Sequence, residues 1–350
     1  MLAHPDLGFV EGGVDFLQRA TYQACSARFG VASRLHRRAY TSAVFQELEN
    51  EKVWTRDWVC IGTTSEIANP GDLLPYTVGQ HGIHVQRLAA GGLIGRFNKA
   101  QHGGCRSIPA QCRTGKKTKC SYTSCGHSRD RDVIAGDRLN EMTPQAGQYL
   151  GVYPERLLPV NIHTGGPFLF ANVDPTLGRD VCPPAVESEV DSRAIRIGGD
   201  WQEHRANWKL AGAALVDTAR SYVNGGGASN YVSAEWHFPN LVLIKARSAT
   251  LAIVLQPTGF DQALWRLSFF REQQATDVSY GNASANLVNL VRLAAAKALS
   301  DQAEVDLPAV CDMTEQSRSA WKFNQQLLER INAHHIAYWN APLTHARSGR

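Results

Sequence analysis

The sequence contains no run of eighteen or more apolar residues, which argues against a membrane-spanning helix. Nor does it begin as a secretory signal does. "MLAHPDLGFVEGG" lacks a basic segment followed by an apolar core, so the cytoplasm is the expected location. In that compartment cysteines are expected as thiols or metal ligands rather than disulfides. An excess of charge of one sign is also missing. A net charge of +4 over 350 residues does not point to nucleic acid or an anionic membrane as partner. The basic run from Arg113 to Lys119 reads as a solvated loop. No Walker-type or G-x-G-x-x-G signature, internal repeat or low-complexity tract occurs. Histidine is absent from 205 to 236.

What is present suffices for one large core or two ordinary domains, since 43% of the 350 residues are apolar. Residues 14 to 38 show helical spacing and predict a leading helix. "TSAVFQELENEKVW" follows, with Val44, Phe45, Leu48 and Trp54 on one helical face and Thr41 or Ser42 as N-cap. Short strand-like runs come next, "LLPYTVG", "GIHVQRL", "GLIGRFN" and "LLPVNIHTGGPFLFANV", punctuated by Gly, Pro, Asn and Asp. In the second half "ANWKLAGAALVDTARSYV" reads as a helix and Asn224-Gly-Gly-Gly as a flexible loop. "NLVLIKA", "ATLAIVLQP" and "ALWRLSFF" read as consecutive antiparallel strands. "ASANLVNLVRLAAAKAL" and "SAWKFNQQLLERINAHHIAYW" read as long amphipathic helices. A meander closed by a long helix predicts an α+β layer with a cavity between helix and sheet.

The densest chemistry lies in "QHGGCRSIPAQCRTGKKTKCSYTSCGHSRDRD", residues 101 to 132. It holds His102, Cys105, Cys112, Cys120, Cys125 and His127, and so four of the eight cysteines. Six soft ligands exceed the four of a tetrahedral zinc site, and Lys116, Lys117 and Lys119 favour thiolates nearby. The spacings Cys-x6-Cys and Cys-x4-Cys-x-His match no standard zinc pattern. Two readings stay open: a metal site, or packing thiols in loops that hold none. Cys25, Cys60, Cys182 and Cys311 are scattered and read as buried small apolar residues.

Several stretches, in order, resemble one family. They are "RAYTSAVFQELENEKVWTRDWVCIG", "IANPGDLLPYTVGQHGIHVQR", "NWKLAGAALVDTARSYV" and "WHFPNLVLIKARSATLAIVLQPTGFDQALWRLSFF". The family is the large (α) subunit of Rieske non-haem iron ring-hydroxylating oxygenases. The resemblance covers about residues 38 to 340, with the flavour of the branch acting on quaternary ammonium compounds. It implies an N-terminal Rieske-like all-β domain and a C-terminal helix-grip domain. The expected division is a helical extension over 1–39, the Rieske-like domain with its opening helix over 40–165, and the helix-grip domain over 166–350. It also implies a [2Fe–2S] cluster in the first domain feeding electrons to a mononuclear iron in the second, and oligomers, often trimers.

Both metal motifs depart from the family pattern. A Rieske cluster takes two thiolates on one iron and two imidazoles on the other. The pattern Cys-x-His, a seventeen-residue gap, then Cys-x-x-His falls here on Ala100, His102, Cys120 and Thr123. His102 and Cys120 are retained, while Ala100 and Thr123 replace ligands. Cys105, Cys112, Cys125 and His127 are additions that could supply an alternative zinc or iron site. The mononuclear site takes two histidines and a carboxylate. The family's Asp-x-x-His-x4-His falls on Asp217, Arg220 and Gly225, with Asp306 as the later carboxylate and Asp301 or Glu304 behind it. Guanidinium has no lone pair for a metal and keeps its charge. Arg220 is therefore expected either to stand in for the iron as a cation, paired with Asp217 and Asp306, or to turn outward to solvent. His237 is expected at a strand start, and His334 and His335 on the surface of the last helix.

Three functions follow as expectations. The first is a divergent oxygenase subunit lacking both standard metals, acting as partner or structural subunit of an intact α subunit or with a reductase, in a homo- or hetero-oligomer. The second is an oxidoreductase with a rebuilt Cys/His metal site. The third is a metal-free binder of a small organic ligand through the C-terminal cavity.

Overall fold

The structure is a computed structural model. It describes residues 9–99, 133–139, 149–178, 181–183, 190, 194–225, 232–305 and 318–333. The chain divides into two compact units, Met1–Val53 with Val186–His334, and Trp54–Ala185 with His335–Arg350.

The second of these, the β unit, is a six-stranded antiparallel sheet. Its strands are β3 (Val59–Thr63), β4 (Leu73–Val78), β5 (His81–Arg87), β6 (Leu93–Phe97), β7 (Pro159–Gly165) and β8 (Phe168–Asn172), in the order β3-β8-β7-β6-β5-β4. All four strand-like runs read from sequence are here. β3, β4 and β8 are buried along their whole length, so their sequences are continuous apolar runs rather than alternations. The boundary read at 165 falls between β7 and β8, which pair from Asn161↔Asn172 to Gly165↔Phe168. Backbone pairing keeps β8 in this unit, and the division moves to residue 185.

The other unit pairs a five-stranded antiparallel sheet with long helices. Its strands are β9 (Ile195–His204), β10 (Val232–His237), β11 (Leu241–Ala246), β12 (Ala249–Gly259) and β13 (Gln262–Arg271), in the order β10-β11-β12-β13-β9. Its helices are α1 (Ala43–Glu49), α2 (Trp208–Gly225), α3 (Asp277–Val305) and α4 (Arg318–Asn332). The Ser42 side chain caps α1 by accepting from Phe45 N at 3.0 Å. Val44, Phe45, Leu48 and Trp54 are all buried, as the helical spacing predicts. α2 packs on β10, α3 and α4. Gly212 is required in α2 because a Cβ there would overlap the Trp236 ring. That ring stacks on Phe323 of α4 with centroids 3.7 Å apart. No described helix is long and apolar enough to cross a membrane.

Three expectations are corrected. The leading helix over 14 to 38 does not form. Instead "VEGGVD" is a hairpin of β1 (Val10–Glu11) and β2 (Val14–Asp15), turned by Gly12 and Gly13 at φ +56° and +79°. A short 3-10 turn at Arg19–Tyr22 follows. There the hydroxyls of Thr21 and Ser26 and the Cys25 thiol donate to nearby carbonyls, competing with helix. The opening helix, assigned by sequence to the β domain, belongs to the other unit through residue 53. His237 ends β10 rather than beginning a strand.

Candidate functional site

Two frames could carry chemistry, one in each unit. In the β unit the chain is pinned on both sides of residues 100–132. On the incoming side Asn98 N–H donates to Gly82 O at 2.9 Å and Lys99 N–H to Tyr149 O at 3.0 Å. On the outgoing side Ile134 and Leu73 exchange both backbone bonds at 2.9 Å. Asp72 then accepts from Asn69 N at 2.8 Å and Gly136 N at 3.2 Å. Gly71, at φ +90°, meets Gly136 backbone to backbone. A Cβ on Gly136 would lie 2.7 Å from Pro70 O. The Gly71-Asp72 pair thus clasps the returning chain. His102, Cys105, Cys112, Cys120, Cys125 and His127 lie outside the described residues, as do Ala100 and Thr123. Among the described residues no group of three or more His, Cys, Asp and Glu could hold a metal.

In the helical unit the frame is α2. Its start is tied to four other segments. Asn207 accepts from Lys209 N at 3.0 Å, its own N–H donates to Gln302 of α3 at 2.8 Å, and its Nδ2 donates to Phe260 O and Tyr40 O. Lys209 and Glu49 form an ion pair at 2.8 Å, with side chains only 1% and 2% exposed. Trp208 Nε1 donates to the same carboxylate at 3.3 Å. The Tyr40, Phe45 and Trp208 rings lie 5.3–5.5 Å from the ammonium. Burial pushes Glu49 up and Lys209 down, and each is drawn back by the other's charge.

Farther along α2, Asp217 is half-buried and Arg220 exposed, three residues apart on one helix face. Gly225 is the last helical residue, so the helix extends into the stretch read as a glycine loop. Asp306, His334 and His335 lie outside the described residues. Of the other carboxylates, Asp301 pairs with Lys297 at 2.9 Å and Glu304 accepts from Ser300 at 3.3 Å. Asp217 and Arg220 thus share α2, with Arg220 exposed to solvent, and the third expected member lies outside the described residues.

Sequence reasoning missed two groups. One is the Glu49–Lys209 pair. Glu49 follows Phe45 and Leu48 at helical spacing, so its position on the buried face of α1 was readable. The other is His84, fully buried in β5, with Nδ1 2.9 Å from Asn98 Oδ1. Burial lowers its pKa to about 4.

No known family's sequence model matches the chain. Among curated proteins, the benzene 1,2-dioxygenase α subunit of Pseudomonas putida F1 is 31% identical over 91 residues, 26% of this chain and 20% of that protein. The 2-halobenzoate 1,2-dioxygenase large subunit of Burkholderia cepacia is 23% identical over 57% of this chain and 44% of that protein. The glycine betaine monooxygenase oxygenase subunit of Pseudomonas aeruginosa is 22% identical over 47% and 38%. The chain thus spans between a fifth and just under half of these relatives' length. Among solved structures, the quaternary ammonium Rieske monooxygenase CntA in complex with an inhibitor matches with a TM-score of 0.58 at 14% identity, over 85% of this chain and 95% of that one. Naphthalene 1,2-dioxygenase from Rhodococcus sp., bound to indole, matches with a TM-score of 0.57 at 13% identity, over 91% and 100%. The chain has the fold of a Rieske oxygenase α subunit.

That fold implies a mononuclear iron on α2, and the residues present do not fit it. Arg220 offers a permanent cation where a neutral imidazole is needed, and Gly225 offers no side chain. The implied [2Fe–2S] cluster meets the same obstacle in composition. Ala100 has no donor atom, and the Thr123 hydroxyl is a poor substitute for imidazole.

Proposed function

We propose that the chain is a divergent Rieske-type ring-hydroxylating oxygenase α subunit that assembles neither standard metal centre and serves as a partner or structural subunit of an oxygenase. The observation that carries this reading is α2 itself. It runs unbroken from Trp208 to Gly225 with an arginine and a glycine at the two positions where the resemblance expects histidines. Asp217 and Arg220 stand three residues apart on one face of α2, a carboxylate and a guanidinium at two positions of the iron motif that the resemblance implies. An intact α subunit within a shared trimer is the partner this reading requires, because electron transfer and oxygen activation must be supplied by complete sites.

Metal analysis and a visible spectrum of the full chain, purified without chelator, test it. The expected result is no stoichiometric iron and no iron–sulfur absorption, together with co-purification with an intact α subunit. Stoichiometric iron with a Rieske spectrum overturns it. Introducing Arg220→His together with Gly225→His asks how far the site has diverged. Recovery of ferrous-ion binding shows that these two positions alone removed the iron, and no recovery shows wider remodelling.

A second reading is an oxidoreductase with a rebuilt metal site. It is favoured by the concentration of six soft ligands, His102, Cys105, Cys112, Cys120, Cys125 and His127, within 26 residues. Stoichiometric zinc, or iron with a non-Rieske spectrum, distinguishes it. A metal-free chain whose melting temperature rises with a small polar organic ligand points instead to a binder using Asp217 and Arg220.

A further inference from the structure

Among the described helices α3 is the longest, 29 residues from Asp277 to Val305. A helix on the surface of a globular unit ordinarily turns an apolar stripe inward and a charged face outward. The inward side of α3 follows that rule, with Leu287, Leu290, Val291, Ala294 and Ala298 buried. The outward side does not. Val278, Val288, Leu293 and Leu299 are 74%, 55%, 41% and 55% exposed. Ala285, Ala296 and Ala303 are exposed between them. Charge is scarce there. Asp277 pairs with Arg271, and Lys297 with the buried Asp301, which leaves Arg292 and Glu304 as the remaining charges of the helix.

The outward positions form a seam. Ala285, Asn289, Arg292, Ala296, Leu299 and Ala303 follow one another at intervals of four and three residues, the repeat of a helix that packs on another helix. A helix that is apolar all round is a covered helix, and α2, β11 and β12 lie against the inward side. The seam also fits itself. In an antiparallel pair with the two-fold axis between Ala296 and Leu299, each Leu299 stands opposite the other copy's Ala296, large against small. Each Arg292 stands opposite the other copy's Ala303 and beside its Glu304, and the symmetry makes that ion pair twice. The small side chains allow close approach, and the charges fix register and direction. A parallel pair sets Arg292 against Arg292 and is disfavoured. Within the chain Arg292 donates to Asn289 at 3.0 Å and Glu304 accepts from Ser300 at 3.3 Å, exposed bonds within one helical turn that a partner can replace.

We propose that the outward face of α3 is a self-association surface, on which a second copy of this chain docks by its own α3, antiparallel about a two-fold axis. The proposal depends on neither metal centre and on no partner subunit. Sedimentation equilibrium of the full chain over a concentration series tests it. One helix pair is a small interface, so the wild type is expected to show a weak, reversible doubling of its basic assembly, whether that is one chain or several. Leu299→Glu brings two carboxylates together near the axis and is expected to abolish the doubling. Arg292→Glu and Glu304→Arg each set like charges face to face at both ends, and each is expected to weaken association about tenfold or more. Combining Arg292→Glu with Glu304→Arg restores opposite charges and is expected to return association to the wild-type level. All three positions are exposed, so unchanged melting temperatures show that the variants fold. Doubling that survives Leu299→Glu, or a double exchange no better than its single variants, overturns the antiparallel α3 pairing. A wild type that does not double at any concentration overturns the second copy as occupant and leaves the face to a different chain.

Discussion

Each unit buries a polar group deep in its core, and the two groups are handled in opposite ways. In the helical unit Glu49 and Lys209 answer each other at 2.8 Å, with Trp208 donating to the carboxylate and three aromatic rings around the ammonium. The group is closed by the protein itself, and its consequence is mechanical: it fixes where α2 begins. In the β unit His84 is answered on one side alone, by Asn98. A closed buried pair specifies structure. A half-closed one leaves a directed lone pair, which is the raw material of a binding site.

The largest test of this contrast is Lys209→Met. It strands Glu49 in an apolar cage and is expected to cost about 3–5 kcal/mol in urea denaturation. The double variant Glu49→Leu with Lys209→Met is expected to recover most of that, since both charges leave together. A single variant as stable as wild type removes the claim that the pair is closed.

Next is the pH response of His84. Its folded pKa, about 4, lies below the unfolded value, so the folded state binds fewer protons. The stability it permits is complete above about pH 6.5 and falls as pH drops toward about 4, by about 3 kcal/mol over that window. Denaturation of metal-free wild type against His84→Phe at a series of pH values measures this. The wild-type curve is expected to fall more steeply by that amount.

Gly136→Ala presses a Cβ against the Gly71 and Pro70 backbone and is expected to cost about 1–3 kcal/mol. Faster amide exchange is expected at Leu73 and Ile134, which share the clasp. Smallest is Ser42→Ala, which removes the cap of α1 for about 1 kcal/mol and leaves the β unit untouched.

Much of the fold was legible because strong local patterns agreed with tertiary packing. The spacing of Val44, Phe45 and Leu48, the cap at Ser42 and the continuous apolar strands β4 and β12 all appear as read. The N-terminal segment was misread because Phe16 and Tyr22 are buried through a hairpin and turns rather than along one helical stripe. Its Gly12-Gly13 pair was the overlooked signal. β9 was missed because it is an edge strand with exposed Ile195 and Ile197 and an adjacent Gly198-Gly199, which blur its alternation. Of the candidate site, Asp217 and Arg220 fall on one helix as expected, while Asp306 and the six loop ligands lie outside the described residues.

By itself the sequence determined what each residue can offer a metal. A missing donor atom at Ala100 or Gly225, and a permanent charge at Arg220, are matters of covalent chemistry that no fold can repair. The tertiary structure decided which polar residues are buried and who answers them. His84 and Lys209 are ordinary letters in the chain. One became a neutral imidazole with an open lone pair and the other half of a sealed ion pair. Burial and partnership arise from residues distant in sequence, Asn98 for His84 and Glu49 for Lys209, and local pattern carries no record of them.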